Sequence, residues 1–249
     1  MIFLSPSNKK DVKELLKEIK LLMIDFDGTL VEFEKAEKKA LKRFLKKHNI
    51  KPSKRKEVAK YYDEINKQLW RKFEKKELTL DEVRKSRFLA LIEKYCLRGE
   101  PEELDKEYLQ FLIDCTKTTK KTLLFLEKLR EKYKVYIITN GIHYVQVDRL
   151  ERTGIMNLTD GFVTSEKIGA PKPESDMFNH ILEKEHVKPE QAFVVGDSYK
   201  ADIIGAKKLG IKSCLIIKDK RKRKEFDEKE KPNMIVKSFV EWAKFLLSK

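Results

Sequence analysis

Leu21-Leu22-Met23-Ile24-Asp25-Phe26-Asp27-Gly28-Thr29 is the stretch on which the fold turns. Four apolar residues in a row read as a strand buried on both faces rather than a half-exposed one. They run directly into an aspartate, an apolar residue, a second aspartate and a glycine. Side chains two apart on an extended backbone project to the same side. Asp25 and Asp27 therefore leave the end of the strand together, and Gly28 permits a sharp turn. Neighbouring carboxylates repel each other and are costly to bury. A hard cation or a shared proton relieves both problems, and either one points to chemistry. Asp-x-Asp-Gly also opens an EF-hand loop, but that loop needs glycine at its sixth position and glutamate at its twelfth. Counted from Asp25, those positions hold Leu30 and Ala36, so the calcium-loop reading fails.

Upstream of this strand, Ser7 or Asn8 is placed to cap a helix running through about Lys20, with Val12, Leu15, Leu16 and Ile19 at helical spacing. Downstream, from about Phe33 to Thr118, the pattern is helical throughout. Ala36, Ala40, Leu41, Phe44 and Leu45 make one face; Tyr61, Ile65, Leu69 and Phe73 a second; Phe88, Leu91, Ile92 and Tyr95 a third. Breaks fall near Lys51-Pro52-Ser53, Leu78-Thr79 and Arg98-Gly99-Glu100-Pro101. After this block the period changes. Helices over about 122–132, 143–152, 176–185, 200–209 and 239–247 alternate with the apolar runs Val135–Thr139, Gly161–Thr164, Ala192–Val195, Ser213–Ile217 and Met234–Val236. Alternating strands and helices predict an α/β fold, a parallel sheet covered on both faces. Residues 1–32 and 119–249 form this core, and 33–118 a helical insertion after its first strand.

In such a sheet, ligands bind beyond the carboxyl ends of the strands. That rule selects Asp25 and Asp27 from the first strand, Thr139-Asn140-Gly141 from the second, and Gly196-Asp197-Ser198 with Asp202 from the fourth. Lys172, in Ala170-Pro171-Lys172-Pro173, comes from a loop before a helix. Taken singly, Thr-Asn-Gly is an ordinary turn, Gly-Asp-Ser an ordinary helix cap, and a lysine between prolines an ordinary loop residue. Together at one sheet edge they suit a magnesium ion and a phosphoryl group. Mg²⁺ takes carboxylate oxygens plus a substrate phosphate, a lysine balances the negative charge, and the backbone N–H groups of a glycine turn bind phosphate oxygens.

Composition sets bounds on partners. The 249 residues suffice for a substantial core, and 41% apolar against 39% charged residues is globular rather than disordered. No apolar run approaches the roughly 20 residues of a membrane span, and Met1-Ile2-Phe3-Leu4 before Ser5-Pro6 is too short for a signal-peptide core, so a cytoplasmic protein is expected. Cys96, Cys115 and Cys214 lack metal-ligand spacing and read as buried thiols, with a Cys96–Cys115 pair as the alternative. The net charge of +15 raises a nucleic-acid reading. Its basic residues are nevertheless spread along the chain among 41 acids, and even the densest run, Lys218 to Lys231, contains Asp219, Glu225, Asp227, Glu228 and Glu230. Heavy Lys/Glu use with few Gln, Asn or Cys is the surface of a thermophile protein; attraction of anionic substrates is a side effect.

The stretches Asp25-Phe26-Asp27-Gly28-Thr29, Thr139-Asn140, Lys172-Pro173 and Gly196-Asp197-Ser198-Tyr199-Lys200-Ala201-Asp202 stand in the order of four signature motifs. On them the chain resembles a haloacid dehalogenase (HAD) superfamily hydrolase of the subfamily with a helical C1 cap. The resemblance implies a Rossmann-like core with a mobile cap and assigns roles. Asp25 is the nucleophile that forms an aspartyl-phosphate, and Asp27 is the general acid and then the base. Thr139, Asn140 and Lys172 hold or neutralise the phosphoryl site. Asp25, the Asp27 backbone carbonyl and Asp197 bind Mg²⁺, and Asp202 either supports them or ligates directly. Asp27 selects the reaction: halide leaves without a proton, whereas an alkoxide needs one. Thr139-Asn140-Gly141 with Gln146, Arg149-Leu150 and Gly154 is similar to 5′-nucleotidase-like and sugar-phosphatase members. The expectation is a Mg²⁺-dependent phosphatase acting on a small phosphorylated metabolite, as a monomer or homodimer. The alternatives are a HAD-type phosphomutase, a 2-haloacid dehalogenase-like hydrolase and a basic nucleic-acid-binding protein. Phe33, Tyr61, Tyr62, Trp70 and Phe73 of the cap read mainly as packing, and His143 as a surface residue at a helix start.

Overall fold

The computed structural model describes residues 16–218 and 231–248. Strand β1 (Leu21–Asp25) is buried along its whole length because it is paired on both sides. It lies parallel to β2 (Lys134–Thr139) on one edge and to β4 (Ala192–Gly196) on the other. β3 (Gly161–Thr164) continues the sheet beyond β2, and β5 (Lys212–Ile216) and β6 (Met234–Val236) continue it beyond β4. The result is a six-stranded parallel sheet of order β3-β2-β1-β4-β5-β6. Ile24 stands beside both Ile137 and Val195. Asp25 stands beside Ile138, and Thr139 and Asp197 come one residue further on, so all three leave adjacent strands at the same carboxyl edge.

Among the described residues, ten α-helices accompany the strands. In chain order they are α1 (Phe33–Lys47), α2 (Pro52–Glu74), α3 (Leu80–Tyr95), α4 (Pro101–Cys115), α5 (Lys120–Arg130), α6 (His143–Thr153), α7 (Ser165–Ile168), α8 (Asp176–Glu185), α9 (Gly205–Lys208) and α10 (Phe239–Leu247). Alternate strand residues feed two faces. Leu21, Met23, Tyr136, Ile138 and Val194 pack with Met177, Phe178, Ile181 and Leu182 of α8. On the other face, Phe193 meets Trp242 of α10 with ring centroids 5.8 Å apart. No strand residue between Leu21 and Ile24 is exposed, as a doubly covered sheet demands.

The chain divides into two compact units. One holds the described residues up to Glu32, Thr118–His143 and those from Thr153 onward; the other holds Phe33–Lys117 and Tyr144–Arg152. Residues 144–152 thus group with the helices, whereas the sequence reading places them with the sheet. In that second unit Arg149 Nε donates to Thr116 Oγ1 (2.8 Å), Nη1 donates to Gln146 Oε1 (2.6 Å), and the guanidinium lies 5.4 Å from the Phe33 ring centroid. Both Gln146 and Arg149 are buried.

Within the helical unit, α2 and α4 begin with proline, where the missing N–H costs nothing. α3 begins with a capping box, Thr79 and Glu82 each accepting from the other's backbone. The buried stripe of α1 is Ala36, Ala40, Leu41, Phe44 and Leu45. That of α2 is Val58, Tyr62, Asn66 and Phe73, one position round from the expected Tyr61, Ile65, Leu69 and Phe73. The shift has a physical cause. Asn66 donates to Glu37 (2.9 Å), and Arg87 of α3 donates to Asp105 of α4 from Nε (2.9 Å) and Nη2 (2.5 Å). Arg84 Nε donates to the other Asp105 oxygen (2.9 Å). A polar network with its partners on other helices is thus buried among Phe44, Tyr62, Phe88 and Tyr108, whose rings lie 5.2–6.2 Å apart.

Other expectations need correction. The helix over 200–209 opens into a π-helical turn, Tyr199–Ile204, before α9. All three cysteines are free; Cys214 is buried, Cys115 half-buried, and Cys96 exposed at a left-handed helix end rather than buried. The helix expected over 7–20 lies largely outside the described residues, as does the charged run between Lys218 and Lys231. Among the described residues no helix is long and apolar enough to cross a membrane.

Candidate active site

The centre of the site is Lys172, only 2% exposed. Its ammonium donates to Asp25 Oδ1 (2.9 Å), Asp202 Oδ1 (2.6 Å) and the Ile138 carbonyl (3.2 Å). All three of its protons are thereby used, and three segments distant in sequence are drawn to one point. The loop that carries it is fastened by Asn140. The Lys172 N–H donates to Asn140 Oδ1 (2.8 Å), and Asn140 Nδ2 donates to the Lys172 carbonyl (3.0 Å). The side chain of Asn140, expected at the phosphoryl group, is therefore engaged in holding the lysine loop against the end of β2. Thr139 is buried, and its Oγ1 accepts from Gly141 N–H (3.2 Å), which shapes the turn after β2. Ser165 Oγ donates to the Asn140 carbonyl (3.1 Å) from the neighbouring strand end.

Asp202 is fully buried. Besides Lys172, it accepts from the Ser198 N–H through Oδ2 (3.0 Å). The π turn makes this possible, because the Ser198 carbonyl accepts from both Asp202 N–H (2.9 Å) and Ile203 N–H (3.4 Å). Such widened turns are common at functional sites. Each motif glycine lies hard against a carboxylate. A Cβ on Gly196 would stand 2.1 Å from Asp202 Oδ2. Gly28 has φ +85° and a Cβ there would stand 1.9 Å from Asp197 Oδ2. The tight turn after Asp27 is closed by Gly28 N–H to Val31 carbonyl (3.1 Å) and Leu30 N–H to Phe26 carbonyl (3.0 Å).

Asp25, Asp197 and Asp202 each offer an oxygen within 4.8 Å of the others. Asp27 does not join this carboxylate group, although its charge acts on Asp197. Asp25 Oδ2 is buried and has no hydrogen-bond partner, an expensive condition for a carboxylate oxygen unless something binds it. The donor set is all oxygen, which suits a hard cation such as Mg²⁺.

The electrostatics follow from crowding. Burial raises the Asp25 pKa well above its ordinary value; Lys172 pulls it down, and Asp202 and Asp197 push it back up. Burial alone would lower the Lys172 pKa, but Asp202 and Asp25 more than offset this and hold the ammonium above its usual range. Asp197 is exposed, but it is crowded by the Asp25 and Asp202 carboxylates and by the backbone at Gly28, which displace part of its hydration. That partial desolvation and the charge of Asp202 push its pKa up to about 7, against the pull of Lys218 and Lys172. His143 is half-buried rather than a free surface residue. Its ring stacks on Phe162 (5.5 Å) and its Nδ1 lies 3.1 Å from Thr164 Oγ1. Burial, then Lys167, lowers its pKa.

Sequence reasoning missed the Ile138 carbonyl, the Ser198 N–H, Ser165 and Lys218. The first two are backbone groups with no signature. Lys218 comes two residues after the end of β5, within reach of the strand-end rule.

Comparison with known proteins agrees with this geometry. Residues 22–216 match the family model described as haloacid dehalogenase-like hydrolase. The HAD-hydrolase YfnB of Bacillus subtilis is 30% identical over 200 residues, covering 80% of this chain and 84% of that protein. Its crystal structure bound to magnesium superposes with a TM-score of 0.79 at 28% identity, over 92% of this chain and 99% of that one. The pyrimidine 5′-nucleotidase YjjG of Escherichia coli is 29% identical over 165 residues, 66% of this chain and 72% of that protein. A dehalogenase solved with an intermediate shares the fold, with a TM-score of 0.71 at 16% identity over 93% of this chain and 98% of that one. The chain belongs to the haloacid dehalogenase-like hydrolases.

Proposed function

We propose that the chain is a Mg²⁺-dependent phosphatase that hydrolyses a small phosphorylated metabolite through an aspartyl-phosphate. One observation carries the reading: Asp25 is pinned through Oδ1 to Lys172 while its buried Oδ2 has no partner. A carboxylate held by one oxygen presents the other as a nucleophile in fixed orientation. Asp25 Oδ2 attacks phosphorus, the bond to the ester oxygen breaks, and Asp27 gives that oxygen its proton. Asp27, now ionised, takes a proton from water as the water attacks the same phosphorus. Inorganic phosphate leaves, and Asp25 is restored. Lys172 pulls the raised pKa of Asp25 down and so favours its ionised form. Asn140 fixes Lys172, and Thr139 with the Gly141 turn lies at the phosphoryl position. Asp25, Asp197 and the backbone at Asp27 would hold the cation, which supplies charge stabilisation for the transferring phosphoryl group.

The Asp25/Asp27 pair favours an ester over a halide, since only the ester needs the second acid. The similarity to YjjG, a pyrimidine 5′-nucleotidase, supports a phosphomonoester substrate, and the magnesium in YfnB supports the metal. The test is hydrolysis of 4-nitrophenyl phosphate with MgCl₂. Activity should disappear with EDTA and fall by at least about 10³-fold in Asp25→Asn, with the fold intact by circular dichroism. Full turnover by that variant would refute the mechanism.

A further inference from the structure

The sheet delivers one more charged side chain to this edge. β5 pairs with β4 so that Leu215 stands beside Gly196. The chain continues to Ile217, whose N–H donates to the Val236 carbonyl (2.8 Å). Ile217 also packs in a cluster with Ile203, Leu215 and Ile235, against which Tyr199 lies. Tyr199 and Ile203 belong to the π turn that carries Asp202. The residue that follows, Lys218, thus leaves the carboxyl edge one strand over from Asp197, on a segment anchored to the turn beside it. It is exposed, and its charge acts on the Asp197 carboxylate.

Charge counting shows what this cation is for. With Asp27 protonated as the general acid and the other carboxylates ionised, Asp25, Asp197 and Asp202 set against Lys172 leave two negative charges in excess. A divalent cation cancels that excess and no more. A phosphomonoester dianion then brings negative charge that the cluster does not offset. A second ammonium at this edge offsets part of it. Lysine suits this duty, being a mobile point charge on a long flexible stem.

We propose that Lys218 is the anion-receiving residue of this site, binding the incoming phosphoryl group of the substrate at the rim beside Asp197. The inference rests on the phosphatase reading but is tested separately from it. Lys218→Gln, Lys218→Glu and Lys218→Arg would be compared with the wild-type chain in two measurements. One is the kinetics of 4-nitrophenyl phosphate hydrolysis over a range of NaCl; the other is calorimetric titration with inorganic phosphate in MgCl₂. In Lys218→Gln, KM should rise about fivefold with kcat within about twofold, the size of one exposed charge contact. The phosphate Kd should weaken by the same factor, and the rise of KM with salt should flatten. Lys218→Glu should be worse, and Lys218→Arg should restore both constants. Unchanged KM and phosphate Kd in the Gln and Glu variants overturn the proposal, as does a wild-type chain that binds no phosphate. A wild-type chain that binds phosphate yet hydrolyses no ester overturns the phosphatase reading instead, and the titration still decides the role of Lys218.

Discussion

Replacing Lys172 with methionine keeps the length and apolar stem of the side chain but deletes an ammonium that two buried carboxylates share. Nζ lies 2.9 Å from Asp25 and 2.6 Å from Asp202, and the three residues are 2%, 6% and 0% exposed. Breaking a buried charge pair from one side costs about 3–5 kcal/mol, because the remaining charge is left uncompensated. A chain of this size loses about 2–4 °C of Tm per kcal/mol, so a drop of about 10 °C is expected for the sheet-containing unit. The cost depends on pH, and its sign can be worked out. Burial already raises the folded-state pKa of Asp25 above its unfolded value. Without Lys172 that carboxyl binds its proton still more firmly. Protonation then relieves the repulsion, so the destabilisation is greatest above the raised pKa and shrinks as pH falls through it. Circular-dichroism melts of both proteins in EDTA at about pH 8 and about pH 5 measure this difference. Equal melting at pH 8, or a penalty that grows toward acid, would refute the reasoning.

Two further outcomes follow from the same site. Gly196→Ala places a methyl group 2.1 Å from Asp202 Oδ2, so it must push that carboxylate off Lys172 and the Ser198 N–H, at about 2–3 kcal/mol. Because both changes strike one interaction, combining it with Asp202→Asn should cost clearly less than the two single losses added together; additive urea-unfolding energies would count against the contact. Mg²⁺ would displace the proton held on Asp197, whose pKa stands at about 7. Its affinity should therefore rise with pH through about 7 and then level off, with proton release visible by calorimetry in buffers of different ionisation heat; affinity constant from pH 6 to 8 would be the contrary result.

The runs Leu21–Ile24, Val135–Ile138 and Ala192–Val195 declare themselves as strands because a doubly covered sheet needs uninterrupted apolar sequence. The aspartates that follow them are placed by that fact alone. Their neighbours are a different matter. No single run says that β1 lies between β2 and β4; that order comes from right-handed crossovers packing helices on both faces. Periodicity counts apolar residues, so it skipped Asn66 and Arg87, which are buried because Glu37 and Asp105 wait for them on other helices. Asn140 was legible as a strand-end polar residue, but its bonds to the Lys172 backbone depend on a loop in a different part of the chain. The π turn likewise depends on Asp202 folding back to Ser198, which a helical pattern over 200–209 does not record.

Gly28 shows how such long-range dependence constrains change. Its positive φ belongs to the turn after Asp27, but the empty space beside its Cα is filled by the carboxylate of Asp197. The two positions therefore form one unit of inheritance. A lineage that acquired any side chain at 28 would have to surrender the aspartate at 197, and with it one carboxylate of the cluster at this edge, before the sheet edge could close again. Drift at one of these positions is therefore ruled by the other, although about two thirds of the chain separates them.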